Sequence, residues 1–254
     1  MPHDALHYMP FQALRNGNAY LIEQNMLAFA PSAAVAVQLA QRTVDQRTPL
    51  VAFGNPGTDE RLALPGSERE AEQISNLFAG SRVFVKAAAT RQQFRASVAS
   101  AGILHVAAHA EVDLVDPLQS RILLAPEGTD DGFMHARDIY GMDMGNVALI
   151  TLSACESGLG RVARGDEILG FTRSFLSAGA SSLLVSLWQV EDESTALLMT
   201  TMYGGLAQGQ PAAAAMQRAQ LQVMQNPAFR EPYFWAAFDL VGDWRMRLRT
   251  PTAI

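Results

Sequence analysis

Apolar positions in this chain form short unbroken runs, separated by segments in which they recur every three or four residues. Two runs dominate: Ile103-Leu104-His105-Val106-Ala107-Ala108-His109-Ala110 and Leu149-Ile150-Thr151-Leu152-Ser153-Ala154-Cys155-Glu156-Ser157-Gly158. A short apolar run bounded by turn residues reads as a strand covered on both faces. Ser181 to Trp188 has the same character, as a central parallel strand should. Pro49 to Phe53 and Ser81 to Lys86 add two more strands, the first closed by the turn Gly54-Asn55-Pro56-Gly57. Ahead of them the spacing predicts a helix from Ser32, as N-cap, to about Asp45. Others run from Ser67 to Phe78, with Ile74, Leu77 and Phe78 on one face, and from Thr90 to Ser100.

Near the N-terminus two extended stretches are expected, around Leu6 to Leu14 and Tyr20 to Ala30. Ser120 to Pro126 reads as part of a surface hairpin and Met134 to Tyr140 as a short helix. Helices follow over Asp166 to Ala178, Asp192 to Gln208 and Pro211 to Met224, and then an aromatic segment, Pro232 to Leu240. Alternating strands and helices predict an α/β fold, a mostly parallel central sheet flanked by helices on both faces. With no repeat, linker or low-complexity tract, one domain is expected over residues 1–254. It would comprise N-terminal elements (1–48) and a core (49–245) that holds both reactive strands.

The 254 residues are 49% hydrophobic, ample for a core, and the formal net charge is -6 with no long basic run. Nucleic acid is therefore not expected as a direct partner. The apolar runs fall short of the roughly 18 residues of a membrane span, and no N-terminal signal pattern appears. One cysteine cannot form an internal disulfide, so a reducing, cytoplasmic location is the simpler expectation. No cofactor and no metal is expected.

That cysteine, Cys155, ends one apolar run, and His109 ends the other, 46 residues upstream. A thiol with a reference pKa of about 8.5 is mostly protonated at neutral pH. A neighbouring imidazole can take the proton and leave a nucleophilic thiolate. The bland alternative is a small buried thiol; the paired histidine strand and the glycine-bearing loop Glu156 to Gly165 favour catalysis. That loop is expected to become ordered only when a partner or ligand engages. His105 and His109, four apart on a strand, share a face, but no third ligand accompanies them, and His105 reads as a hydrogen-bonded core histidine. Gly54-Asn55-Pro56-Gly57-Thr58 lacks the spacing of a phosphate-binding fingerprint. Arg164-Gly165-Asp166 reads as a loop ending at a helix start.

Taken together, the segments resemble the CHAT domain, the caspase-like peptidase family related to separase. The resemblance runs nearly end to end. It rests on Leu6 to Leu14, Ala30-Pro31-Ser32, Leu64-Pro65-Gly66 with Glu70-Ala71, Ala89-Thr90, Ile103 to Ala110 and Leu152 to Gly158. Further matches are Ala178-Gly179-Ala180, Ser186 to Asp192, Pro232 to Phe238 and Val241-Gly242-Asp243. It implies a caspase-like sandwich and a cysteine endopeptidase with Cys155 as nucleophile and His109 as proton carrier, a dyad with no orienting carboxylate. The oxyanion would be held by the backbone N–H groups of Cys155 and Ala110, where the family usually has glycine. Asp192 would take a basic P1 side chain, with Ser153 walling the pocket; alternatively Asp192 simply N-caps the helix that follows. Trp188 is pocket wall or plain core. Protein substrates are implied, together with an upstream helical-repeat or ligand-sensing regulatory domain or subunit. The rival from another class is a catalytically silent scaffold or sensor.

Overall fold

The computed structural model of the chain describes residues 6, 9–42, 49–57, 63–113, 115–153, 166–188 and 191–248. In chain order the elements are β1 (Arg15–Asn16), β2 (Ala19–Tyr20), α1 (Leu21–Gln24), α2 (Ala33–Gln41), β3 (Leu50–Pro56) and α3 (Pro65–Ser75). Next come β4 (Arg82–Lys86), α4 (Arg91–Val98), β5 (Ile103–Ala107), β6 (Ala110–Glu111), β7 (Arg121–Leu123) and β8 (Phe133–His135). They are followed by α5 (Ala136–Tyr140), β9 (Leu149–Leu152), α6 (Asp166–Ala178), β10 (Ser182–Ser186), α7 (Asp192–Ala207), α8 (Ala212–Gln225), α9 (Pro232–Trp235) and β11 (Phe238–Gly242).

Six strands form the central sheet in the order β11-β10-β9-β5-β3-β4. All neighbours are parallel except β10 and β11. Side chains alternate across a strand, so each strand feeds two cores. Leu50, Ala52, Ile103, Leu149 and Leu184 join one core with Ala71 and Ile74 of α3, Leu198 and Met202 of α7, and Met216 of α8. Val51, Phe53, Leu104, Val106, Ile150, Leu152, Leu183 and Val185 join the other with Phe94 of α4 and Phe175 of α6. This two-sided burial is why the strands read as continuous apolar runs.

The helix starts follow capping chemistry. Ser32 Oγ accepts from Val35 N–H at 3.2 Å, and Thr90 Oγ1 accepts from Gln93 N–H at 3.2 Å. Several expectations need correcting. Residues Phe11–Ala13 form one turn of 3-10 helix rather than an extended stretch, and α1 begins at Leu21 within the second. The turn expected at Gly54 to Gly57 is instead the end of β3, where the register with β4 shifts between Gly54 and Pro56. Asn55 there takes a left-handed φ of 47°, and an added side chain at Gly54 would press within 2.7 Å of Ser67 O. β6, β7 and β8 form a second, antiparallel sheet, so residues 133–135 are strand and only 136–140 helix.

The aromatic segment yields α9 and the antiparallel edge strand β11. The N-terminal segment covers that edge. Phe29 N–H donates to Leu240 O at 2.8 Å, and Gly242 N–H to Phe29 O at 2.9 Å. The buried Gln12 amide donates to Phe238 O at 2.9 Å and to Asp239 Oδ1 at 2.5 Å. Burial pushes the Asp239 carboxyl up to about 7, against the opposing effect of the Gln12 hydrogen bond.

Candidate functional site

β5 and β9 are parallel neighbours, and His105 pairs with Thr151, Val106 with Leu152. The sheet therefore sets each residue of β5 beside the residue 46 positions later. The last pair, Val106–Leu152, is closed by Ser153 N–H, which donates to Val106 O at 3.0 Å. His109 stands two residues past the end of β5, half-buried, where the chain turns into the second sheet. Ser153, also half-buried, directly follows β9. Cys155, the loop Glu156 to Gly165, and Gln189-Val190 lie outside the described residues.

Ala110 opens β6 and is buried. It pairs with Ile122, and Leu123 N–H donates to His109 O at 2.9 Å across the pair. In an antiparallel ladder this marks Ala110–Ile122 as a pair that exchanges no hydrogen bonds, so the Ala110 N–H points away from β7. β6 is an edge strand of its sheet, and that N–H faces its open side. Ala110 is not among the described non-glycine residues with positive φ, which are Asn55 and Lys86. Alanine therefore serves here without the backbone freedom of glycine.

Asp192 is the first residue of α7 and is exposed, but it is not the cap. Glu191, in extended conformation, is the N-cap: its carboxylate accepts from Glu193 N–H and Ser194 N–H, each at 2.9 Å. The expectation that Asp192 caps the helix is corrected on this point. Three acidic residues in a row open the helix, and only the backbone conformation at 191 decides which one caps. Asp192 instead leans across to the first turn of α3, against Gly66. Trp188 is half-buried against the α7-side core and donates from Nε1 to Tyr233 O at 3.0 Å.

His105 is fully buried within β5. Its Nδ1 lies 3.1 Å from Tyr203 Oη, and that hydroxyl lies 2.7 Å from Thr151 Oγ1. Glu70 Oε1, also buried, lies 2.8 Å from His105 Nε2, a close polar contact without the alignment of a hydrogen bond. Desolvation raises the Tyr203 phenol well above its ordinary range. The four side chains tie α3 and α7 to both β5 and β9. Sequence reasoning read His105 as a core histidine but missed its partners. The available signal was a Glu on the apolar face of α3, four residues before Ile74. Among the described residues no cluster of three His, Cys, Asp or Glu side chains is arranged to hold a metal ion, and no helix is long and apolar enough to cross a membrane.

Comparison with known proteins places this geometry. The yeast (Saccharomyces cerevisiae) separase–securin complex superposes with a TM-score of 0.62 at 14% identity, over 93% of this chain and 14% of that one. The Arg-specific cysteine proteinase gingipain R superposes with a TM-score of 0.54 at 12% identity, over 79% of this chain and 47% of that one. Both share the caspase-like fold. In sequence, tetratricopeptide repeat protein 28 from mouse is 25% identical over 304 aligned residues, and the human protein 26% over 299. Each alignment takes in 98% of this chain but 12% of the relative, so the chain spans about an eighth of those proteins. The CHAT domain matches residues 1–243, and with the parallel sheet and the paired strand ends this establishes that the chain belongs to the CHAT domain family.

Proposed function

We propose that this chain is a cysteine endopeptidase in which His109 and Cys155 form the reacting pair. One observation carries the reading: the register of β5 against β9 has an offset of 46 residues, and 46 residues separate His109 from Cys155. Strands paired at this offset end side by side, and in the sequence both positions follow those two ends by the same interval. The C-terminal edge of a parallel sheet is where sites are built in open α/β folds.

In this reading His109 takes the Cys155 proton and the thiolate attacks the scissile carbonyl carbon. The carbonyl oxygen becomes an oxyanion held by the N–H groups of Ala110 and Cys155; the open N–H at Ala110 supports that role. The imidazolium gives its proton to the leaving amine as the C–N bond breaks, and a thioester remains. His109 then accepts a proton from water as it attacks the thioester, releasing the acid and restoring the thiol. Asp192 receives a basic P1 side chain by a charge-assisted contact, and Ser153 walls the pocket. Two points support this: Glu191 leaves Asp192 unneeded as a cap, and the gingipain of similar fold is by name Arg-specific. Regulation by an attached or separate helical-repeat partner is consistent with the tetratricopeptide-repeat relatives.

The test is a comparison of new protein N-termini in a host lysate treated with the wild-type chain or with Cys155→Ala. Cuts after Arg or Lys that need Cys155 are the expected result. Cuts after Leu or Glu would remove the Asp192 pocket and spare the peptidase. Identical N-termini in the two lysates, with the wild type folded, would assign the chain to a silent scaffold.

A further inference from the structure

Gly66 is buried in the first turn of α3 and is not among the glycines with positive φ. Backbone propensity alone would prefer alanine there. What requires glycine is space. A Cβ placed on Gly66 would overlap Oδ2 and Cγ of Asp192 and fall 2.8 Å from its Cβ. Those three closest atoms all belong to one side chain. At Gly54, by contrast, the closest atom is the backbone oxygen of Ser67, a constraint of the fold itself.

The location matters. α3 follows β3 and α7 follows β10, two strands parallel to the β5–β9 pair, so both helices start at the C-terminal edge of the sheet. α3 packs on β3 and β5 and against α7. Their first turns therefore meet beside the strand ends that carry His109 and Ser153. The Asp192 carboxylate thus lies where two helix N-termini meet. Among the described residues Asp192 accepts no hydrogen bond, since Glu191 makes the capping contacts of α7.

We propose that Gly66 is a specificity-determining positioning residue: its missing side chain is the space in which the Asp192 carboxylate lies, poised for a cationic P1 group. The inference rests on Asp192 being the P1 acid. Of the atoms in conflict at position 66, Oδ2 and Cγ belong to a carboxylate that can rotate aside and only Cβ moves with the start of α7, so Gly66→Ala displaces the carboxylate with a small local shift.

The experiment uses peptides identical except for P1, arginine against its neutral near-isostere citrulline, and measures kcat/KM for each with wild type, Asp192→Asn and Gly66→Ala. Direct binding of Nα-acetyl-arginine amide to the same three forms in a Cys155→Ala background gives the ranking without chemistry. Gly66→Ala is expected to lower the arginine-over-citrulline ratio, or the affinity for the probe, about tenfold or more, with an unchanged thermal melt. Loss of discrimination in Asp192→Asn but not in Gly66→Ala would overturn the inference and leave the P1 reading standing. Undiminished discrimination in Asp192→Asn, or no binding of the probe to the wild-type form, would overturn the P1 reading and the inference with it.

Discussion

His105 and His109 come from the same stretch of chain, four residues apart, and the sheet gives them opposite surroundings. His105 lies inside β5 with no exposure, and both ring nitrogens are engaged, one with Tyr203 and one with Glu70. Its register partner, Thr151, is held by the same Tyr203 hydroxyl. His109 lies beyond the strand end, half-buried, where the hydrogen-bonding pattern passes from one sheet to another. The interior position joins helices to strands; the edge position is where chemistry can reach solvent and substrate. One residue type thus serves structure inside the strand and, in the proposed mechanism, reaction beyond its end.

The sharpest way to break this comparison is to remove each imidazole in turn. His109→Ala is expected to lower kcat/KM on a cleavable peptide by about 10²–10⁴-fold, the usual share of a general acid–base group, while chemical denaturation stays within about 1 kcal/mol of wild type. His105→Ala should do the reverse in kind. It leaves Glu70 buried beside a cavity, and urea unfolding should show a loss of roughly 3–5 kcal/mol. Equal loss of stability in the two variants would erase the distinction between interior and edge.

A smaller effect is expected from Tyr203→Phe, which removes only the hydroxyl shared by His105 and Thr151. Two buried polar groups then lack a partner, a stability loss of about 1–3 kcal/mol, read as a lower denaturant midpoint at unchanged slope. A neutral result would mean that the bridge across β5 and β9 contributes little.

A pH-dependent effect separates the His105 cluster from Asp239, a buried acid whose side-chain partner is an amide. Its carboxyl titrates at about 7 when folded and near 3.8 when free. A raised carboxyl favours the folded state in its protonated form, so its contribution is complete below about pH 4 and is lost as pH rises to about 7. Relative to Asp239→Asn, wild type should lose up to about 1.4 kcal/mol per pH unit across that window. Parallel stability profiles for the two proteins would refute the assignment.

Much of the fold was legible in the sequence because burial on both faces writes itself into the chain as unbroken apolar runs. β5, β9 and β10 were readable for that reason, and Ser32 marked its helix by its own chemistry. The small sheet was not readable, since strands of two or three residues carry too little alternation to register. β11 was hidden by the buried Asp239 in its run and by the aromatic helix turn before it. At the site, the interval from His109 to Cys155 was visible from the start, but its equality with the strand offset needed the pairing of β5 and β9. The cap at Glu191 and the clearance at Gly66 depend on backbone angles and on contacts between distant segments, which no local pattern records.

The central claim is that the Cys155 thiol is activated by His109, and the most direct measurement is the rate of Cys155 alkylation by iodoacetamide as a function of pH. The chain has one cysteine, so the signal is unambiguous. The account predicts rapid alkylation at neutral pH in the folded wild type, falling in His109→Ala to the slow rate of the unfolded chain. Alkylation that is equally slow in the folded wild type, the unfolded chain and His109→Ala would contradict it.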